Sequence, residues 1–279
     1  MANTETGIQS TEEFDLEAWA EQKQARRQAL YDTVEQMTDK TLSDPAALSA
    51  YLEAQARLGK TKVSNTLIIL ASKPEATQVM SFDDWHKRGR SVKKGESGFD
   101  ILESKGEYER DDGTMGRNFD PKRVFDISQT YGRKVWERRT PPIKSALKAL
   151  TTNTAVPVRL SDNVPQGIAA EYSQMDLVVY VARNAPDHDK FFAIARELAR
   201  AEQGDNTFLC DCAANIVCLR YGVPAKHCER LPEEVTSMDT REKRGALDMV
   251  RDTAVSAMER VDRNLALERQ KDEPERERA

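Results

Sequence analysis

Phe99-Asp100-Ile101-Leu102-Glu103 alternates apolar and polar residues. Arg123-Val124-Phe125-Asp126-Ile127 answers it after a polar stretch, Glu107 to Pro121, that contains Asp112-Gly113 and reads as a hairpin tip or loop. Alternation at period two marks a strand with one buried face, and Asp-Gly between two such runs is a turn signal. These strands stand among helical patterns, which sets the class as α+β. Toward the N-terminus, Ser10-Thr11-Glu12-Glu13 reads as a capping box ahead of a long charged helix to about Met37. Ser43-Asp44-Pro45 opens a second helix with Leu48, Tyr51, Leu52 and Leu58 on its apolar face, closed by Gly59. A third runs from about Val63 through Ala71 and stops before Pro74, because a residue preceding proline avoids helical geometry. Val79-Met80-Ser81-Phe82 and a short helix carrying Trp85 follow, then a turn-rich segment punctuated by Gly89 and Gly95.

Toward the C-terminus, Pro141-Pro142 marks a boundary. Val156 to Leu160 reads as a strand, and Ile168–Tyr172 and Leu177–Val181 flank Ser173-Gln174-Met175-Asp176 as a hairpin. Asp187 to Gln203 is a helix with Phe191, Ile194, Ala195, Leu198 and Ala199 on one side. Phe208 to Tyr221 is another, stopped by Gly222 and Pro224. From Thr240 to about Arg269, Leu247, Val250, Ala254, Met258, Val261 and Leu265 recur at helical spacing. That face either docks on the body or pairs with a partner helix. The charged stretch Lys271 to Ala279 is expected to fray. The expected segments are an acidic helix (1–42), a first domain (43–140), a linker (141–155), a second domain (156–235), and a last helix with its charged tail (236–279).

With 39% hydrophobic and 32% charged residues, the 279-residue chain has enough apolar content for real cores and is no collagen, low-complexity or disulfide scaffold. The longest obvious apolar run, Leu67 to Ala71, is far short of a membrane span, and Met1 to Ser10 lacks the features of a signal peptide. Four cysteines confined to Cys210–Cys228 are no secreted framework, so the expected compartment is cytoplasmic. Net charge is −5, yet residues 57–144 carry 19 Lys/Arg against 13 Asp/Glu while both flanks are acidic. A basic middle suits a local anionic partner; a solvated mixed-charge surface is the alternative.

Trp85-His86-Lys87-Arg88-Gly89-Arg90-Ser91-Val92-Lys93-Lys94 is the densest cationic stretch, with Phe82 and Phe99 nearby. Cations along phosphates and aromatic faces for unpaired bases are what single-stranded nucleic acid requires. The alternative is a core Trp85 and solvated lysines. Here the chain resembles the N-terminal domain of the ArdC antirestriction proteins, and the related LtrC-like proteins of conjugative elements. The resemblance lies in four ordered blocks within Leu48–Thr130: Val63 to Leu70; Pro74 to Val79; Trp85 with Gly89 to Glu96; and Val124 to Thr130. It implies a sequence-tolerant single-stranded DNA-binding domain carried by mobile elements, which protects transferred DNA or counters restriction. On this reading Lys87, Arg88, Arg90, Lys93 and Lys94 neutralise phosphates and Trp85 stacks or supports the surface; Lys62 and Asn65 are secondary candidates.

The same resemblance implies a zincin-like second domain with a short hairpin sheet and helices. The mark of that domain is His-Glu-x-x-His, two zinc ligands one helical turn apart and a Glu that activates water. The corresponding stretch here is Arg196-Glu197-Leu198-Ala199-Arg200, where only Glu197 matches. A guanidinium has no lone pair for a cation, and Arg200 stands three residues after Glu197, at pairing distance on a helix. Asp211 lies near the place of a third, acidic ligand. The expectation is a pseudopeptidase: no catalytic residue beyond the relic Glu197, no metal and no cofactor. A coincidental helix match is the alternative. His86, His188 and His227 are not at helix-face spacing. The cluster Cys210, Cys212, Cys218 and Cys228 has the soft ligands for zinc but not a standard spacing; small buried thiols are the other reading. Two rival functions stay open: a metallopeptidase with altered ligands, and an interaction scaffold whose basic patch is incidental. Expected partners are single-stranded DNA and a protein or second copy at the C-terminal helix, with no membrane.

Overall fold

In the computed structural model, residues 16–109, 112–135, 139–226 and 228–276 are described. The Ser10–Glu13 capping box, His227 and the end of the charged tail lie outside them. Helix α1 (Leu16–Thr41) is charged along most of its length and buries Val34. Helix α2 (Pro45–Leu58) starts where expected: Asp44 caps it by accepting the Ala46 N–H at 3.0 Å. The α2–α3 turn is held by buried Gln55, whose amide donates to the carbonyls of Gly59 (2.7 Å) and Thr61 (3.0 Å). Helix α3 (Val63–Ser72) follows.

Strand β1 (Val79–Met80), helix α4 (Phe82–Lys87) and strand β2 (Arg90–Val92) lead into the long hairpin of β3 (Phe99–Glu109) and β4 (Met115–Asp126). The polar stretch expected as a loop is therefore mostly strand: paired backbone groups extend the ladder beyond the apolar alternation. Sheet order is β1-β4-β3, all antiparallel. A short 3-10 turn (Ile127–Gln129) redirects the chain into strand β5 (Thr130–Gly132), which pairs antiparallel with β2 as a separate ribbon.

Residues expected as a linker form helix α5 (Ile143–Thr151), with Ala146, Ala149 and Leu150 buried. Pro142 ends one segment and also starts this helix, since a proline at a helix start lacks only a donor the helix does not use. Strands β6 (Val158–Ser161), β7 (Ala170–Ser173) and β8 (Val178–Ala182) form a sheet ordered β6-β8-β7. The β7–β8 hairpin is the expected one, while β6 joins β8 in parallel, so the sheet is mixed. Helices α6 (Asp187–Gln203), α7 (Thr207–Arg220), α8 (Glu233–Thr236) and α9 (Thr240–Arg276) complete the chain.

One apolar core runs from Val34, Leu48 and Tyr51 through Leu150, Phe191 and Ile216 to Leu247 and Val261. The apolar stripe of α9 is buried in this body, so it is not presented to a partner helix. Asn264 pins α9 to α5 by donating to the carbonyls of Ala149 (2.8 Å) and Thr152 (2.9 Å). Arg220 at the end of α7 donates to the Ala56 carbonyl of α2 at 2.9 Å, tying the two halves. Among the described residues no helix is long and apolar enough to cross a membrane.

Asn65 joins α3 to β3: its amide donates to the Leu102 carbonyl and accepts the Leu102 N–H, both at 2.9 Å. Asn65→Ala leaves both backbone groups without that partner. It is expected to cost about 2 kcal/mol in urea unfolding, as unsatisfied buried groups do.

Candidate nucleic-acid interface and the ion-pair network on α6

The β2–β5 ribbon is positioned by one carboxylate. Asp126, buried at the end of β4, accepts the N–H groups of Thr77 (2.8 Å), Gln78 (3.2 Å) and Ser128 (2.9 Å). Gln129 returns the contact by accepting the Asp126 N–H at 3.0 Å and donates to the Ser97 carbonyl at 2.9 Å. Burial alone would raise the Asp126 carboxyl; the hydrogen bonds from Ser128, Thr77 and Gln78 outweigh it and hold it below the ordinary carboxylate range.

Arg90 then clamps the ribbon. Its guanidinium donates to the Thr130 hydroxyl (2.8 Å), the Thr130 carbonyl (3.0 Å) and the Arg133 carbonyl (2.7 Å), and lies 5.9 Å from the centre of the Trp85 ring. Trp85 is 0% exposed and its indole N–H donates to the Phe125 carbonyl at 2.9 Å. Of the two roles expected for Trp85, burial leaves support and removes stacking on a base. Asn65 is likewise spent on the Leu102 backbone. Lys62 is exposed at the start of α3.

Lys87 is exposed, 3.5 Å from Asp84. Arg88, Lys93 and Lys94 are exposed, and none makes an ion pair with an acid among the described residues. Lys93 donates to the Ser128 carbonyl at 2.7 Å, which fixes it without neutralising it. The structure adds Tyr131 of β5, and Arg133 and Lys134 just after it, all exposed. Their signal in the sequence is the run Tyr131-Gly132-Arg133-Lys134, an aromatic next to two cations just past the alternating strand.

In the second half, Glu197 of α6 is buried and acts as a hub. It accepts from Arg196 at 2.7 Å, lies 3.6 Å from Arg200, and accepts the Tyr172 N–H of β7 at 3.0 Å. Arg200 also meets Asp205 at 2.6 Å, and Gln174 of the β7–β8 turn donates to that same carboxylate at 2.9 Å. Asp205 is the main reason the Arg200 guanidinium is raised further above its ordinary value. Asp211 of α7 stands 4.0 Å from Arg196, and burial raises its carboxyl. The residues expected around Glu197 are thus brought together, as organic ions paired with one another. A cleft of about 830 Å³ opens beside Arg196 and Lys226.

A divalent cation does not fit this constellation, because two fixed guanidiniums already hold the one buried carboxylate. No group of three or more His, Cys, Asp or Glu among the described residues is arranged to hold a metal. Cys210, Cys212 and Cys218 are buried, and burial pushes the thiol of Cys210 up to about 11 and that of Cys218 up to about 12. They are small core groups. His188 is exposed at the start of α6.

Residues 19–141 match the family model of the N-terminal domain of anti-restriction factor ArdC. That stretch is an ArdC-like N-terminal domain. The crystal structure of the antirestriction ArdC protein from the R388 plasmid, in its metal-free form, superposes with a TM-score of 0.54 at 14% identity, covering 84% of this chain and 98% of that one. The Mn(II)-bound structure of the same protein superposes at 0.51 with 13% identity, over the same shares. The chain therefore shares that fold across most of its length. No curated protein sequence matches it.

Two outcomes follow from these geometries. Glu197→Ala removes the 2.7 Å partner of Arg196 and the acceptor of the Tyr172 N–H, while Arg200 keeps Asp205; a thermal or urea melt should show a loss of about 2 kcal/mol. Because the Asp126 pKa is depressed by folding, its stabilisation is complete above the unfolded carboxylate pKa and disappears as pH falls through the folded one. Asp126→Asn should thus lose stability at pH 7 and flatten the acid limb of the stability–pH curve.

Proposed function

We propose that this chain binds single-stranded DNA through the β2–β5 ribbon and its flanking cations, and counters restriction in a mobile element. The observation that carries the reading is a set of exposed cations, Arg88, Lys93, Lys94, Arg133 and Lys134, with no acidic partner among the described residues. On the neighbouring β3–β4 hairpin the cations are paired instead: Lys23 with Asp120, Arg26 and Arg123 with Asp100, and Lys122 with Glu103. Charge left uncompensated on one exposed element suits an external polyanion, and the ArdC N-terminal domain match supports the antirestriction role.

In this reading the α6 site is catalytically silent. Arg196 and Arg200 hold Glu197 where it cannot serve as a base toward a metal-bound water, and the residues offer no ligand set for the metal. The Mn(II)-bound form of the R388 protein favours the rival, a metallopeptidase with altered ligands. Purified protein carrying stoichiometric metal together with chelator-sensitive peptide cleavage would establish that rival.

Fluorescence anisotropy of a labelled single-stranded oligonucleotide across a salt series tests the DNA reading. If the five cations each meet a phosphate, log K falls against log salt with a slope of about −3.5. Replacing all five by Ala should abolish salt-sensitive binding while leaving the melting transition in place. Absence of binding at low salt by the intact chain would refute the reading.

A further inference from the structure

The ribbon holds an aromatic side chain that the cation pattern alone does not explain. In the β2–β5 ladder, Tyr131 lies directly opposite Ser91, Arg90 opposite Gly132, and Val92 opposite Thr130. Directly opposed residues of an antiparallel pair project to the same side, and successive residues alternate. Arg90, Val92 and Thr130 therefore share the inner face, toward Trp85, while Ser91 and Tyr131 share the outer one. The ladder continues at both ends: Lys93 N–H donates to the Gln129 carbonyl at 2.9 Å, and Arg133 N–H donates to the Gly89 carbonyl at 3.0 Å. Period-two alternation then puts Lys93 and Arg133 on the outer face with Tyr131. One exposed strip thus carries a tyrosine with a cation to either side, Arg133 about 6–7 Å along its own strand and Lys93 diagonally across the ladder at about 7–8 Å.

Tyr131 is 60% exposed, whereas Trp85, beneath the same ribbon, is wholly buried. Its mount is rigid. Arg90 bonds to the residues on either side of the Tyr131–Gly132 pair, and Gly132 passes so close to Gly89 that an added Cβ would lie 2.5 Å from the Gly89 carbonyl oxygen. Its φ of 124° is in the region that favours glycine, so this close approach depends on Gly132 having no side chain. An apolar ring held open to water on a stiff support is poised for a flat partner, and the flanking cations specify an anionic one.

We propose that Tyr131 is a base-stacking subsite: an unpaired nucleobase lies on its ring while Lys93 and Arg133 meet the adjoining phosphates. The inference rests on the single-stranded DNA reading above and adds the residue that would separate single strands from duplex. Bases in a duplex are stacked on one another and offer no free face, whereas phosphates are present in both. Cations alone would bind either form; the tyrosine rewards only the unpaired one.

The test compares Tyr131→Ala, Tyr131→Leu and Tyr131→Phe with the intact chain, using labelled oligothymidylate and a duplex of the same length at fixed salt. Stacking on an aromatic side chain is worth about 1–3 kcal/mol per base. Tyr131→Ala and Tyr131→Leu should weaken single-strand binding about 5- to 150-fold, with the salt slope and duplex affinity unchanged, and Tyr131→Phe should retain single-strand affinity. The melting temperature of each variant is measured alongside, since an exposed position should leave it unmoved. Equal single-strand affinity of intact chain and Tyr131→Ala, or equal loss on duplex, overturns the subsite while leaving DNA binding standing. Failure of the intact chain to bind single strands overturns the function reading instead.

Discussion

The buried carboxylate of Asp126 is the point on which the N-terminal architecture turns. Three backbone N–H groups from two separate segments converge on it, and Gln129 closes the box from the other side. These bonds end β4, fix the segment leading into β1, and aim the chain into β5. Without the junction nothing would set the direction of the ribbon, and Arg90 would have no fixed carbonyls to clamp. An ionised group survives there because every N–H aimed at it replaces a water it gave up on folding.

Glu197 plays the corresponding part in the second half with a different chemistry. It is also a buried carboxylate, but it is neutralised by guanidiniums and, among the described residues, one backbone N–H reaches it. The network ties α6 to β7, to the β7–β8 turn through Asp205 and Gln174, and to α7 beside Asp211. The chain supplies its own cations at this place. The two halves meet through the continuous core and through Arg220 of α7 bonding to α2, so the ribbon and the α6 network belong to one packed body.

Helices were legible wherever a cap or breaker met an apolar period. Asp44 before Pro45 and the glycine after Leu58 bound a helix close to where the pattern placed it, and Asp187–Gln203 is a helix as its apolar spacing reads. The β7–β8 hairpin was legible for the same reason. Helix α5 was not, because Pro141-Pro142 breaks one segment and begins another with the same residues. The outer half of the β3–β4 hairpin was hidden too, since both of its faces are solvated and leave no alternation to read.

The sequence by itself determined the α+β class, the family-like blocks, the basic middle, and the substitution of arginines around Glu197. These are matters of residue type and spacing along the chain. Only the tertiary structure decided which aromatic faces water. Trp85 and Tyr131 are both large rings among cations, yet Trp85 packs under the ribbon with its indole N–H satisfied while Tyr131 stands outside it. Ribbon strands of three residues are too short to announce an inner and an outer face. That distinction comes from the register of β2 on β5, which Arg90 clamps across the ladder and Asp126 sets up from the end of β4.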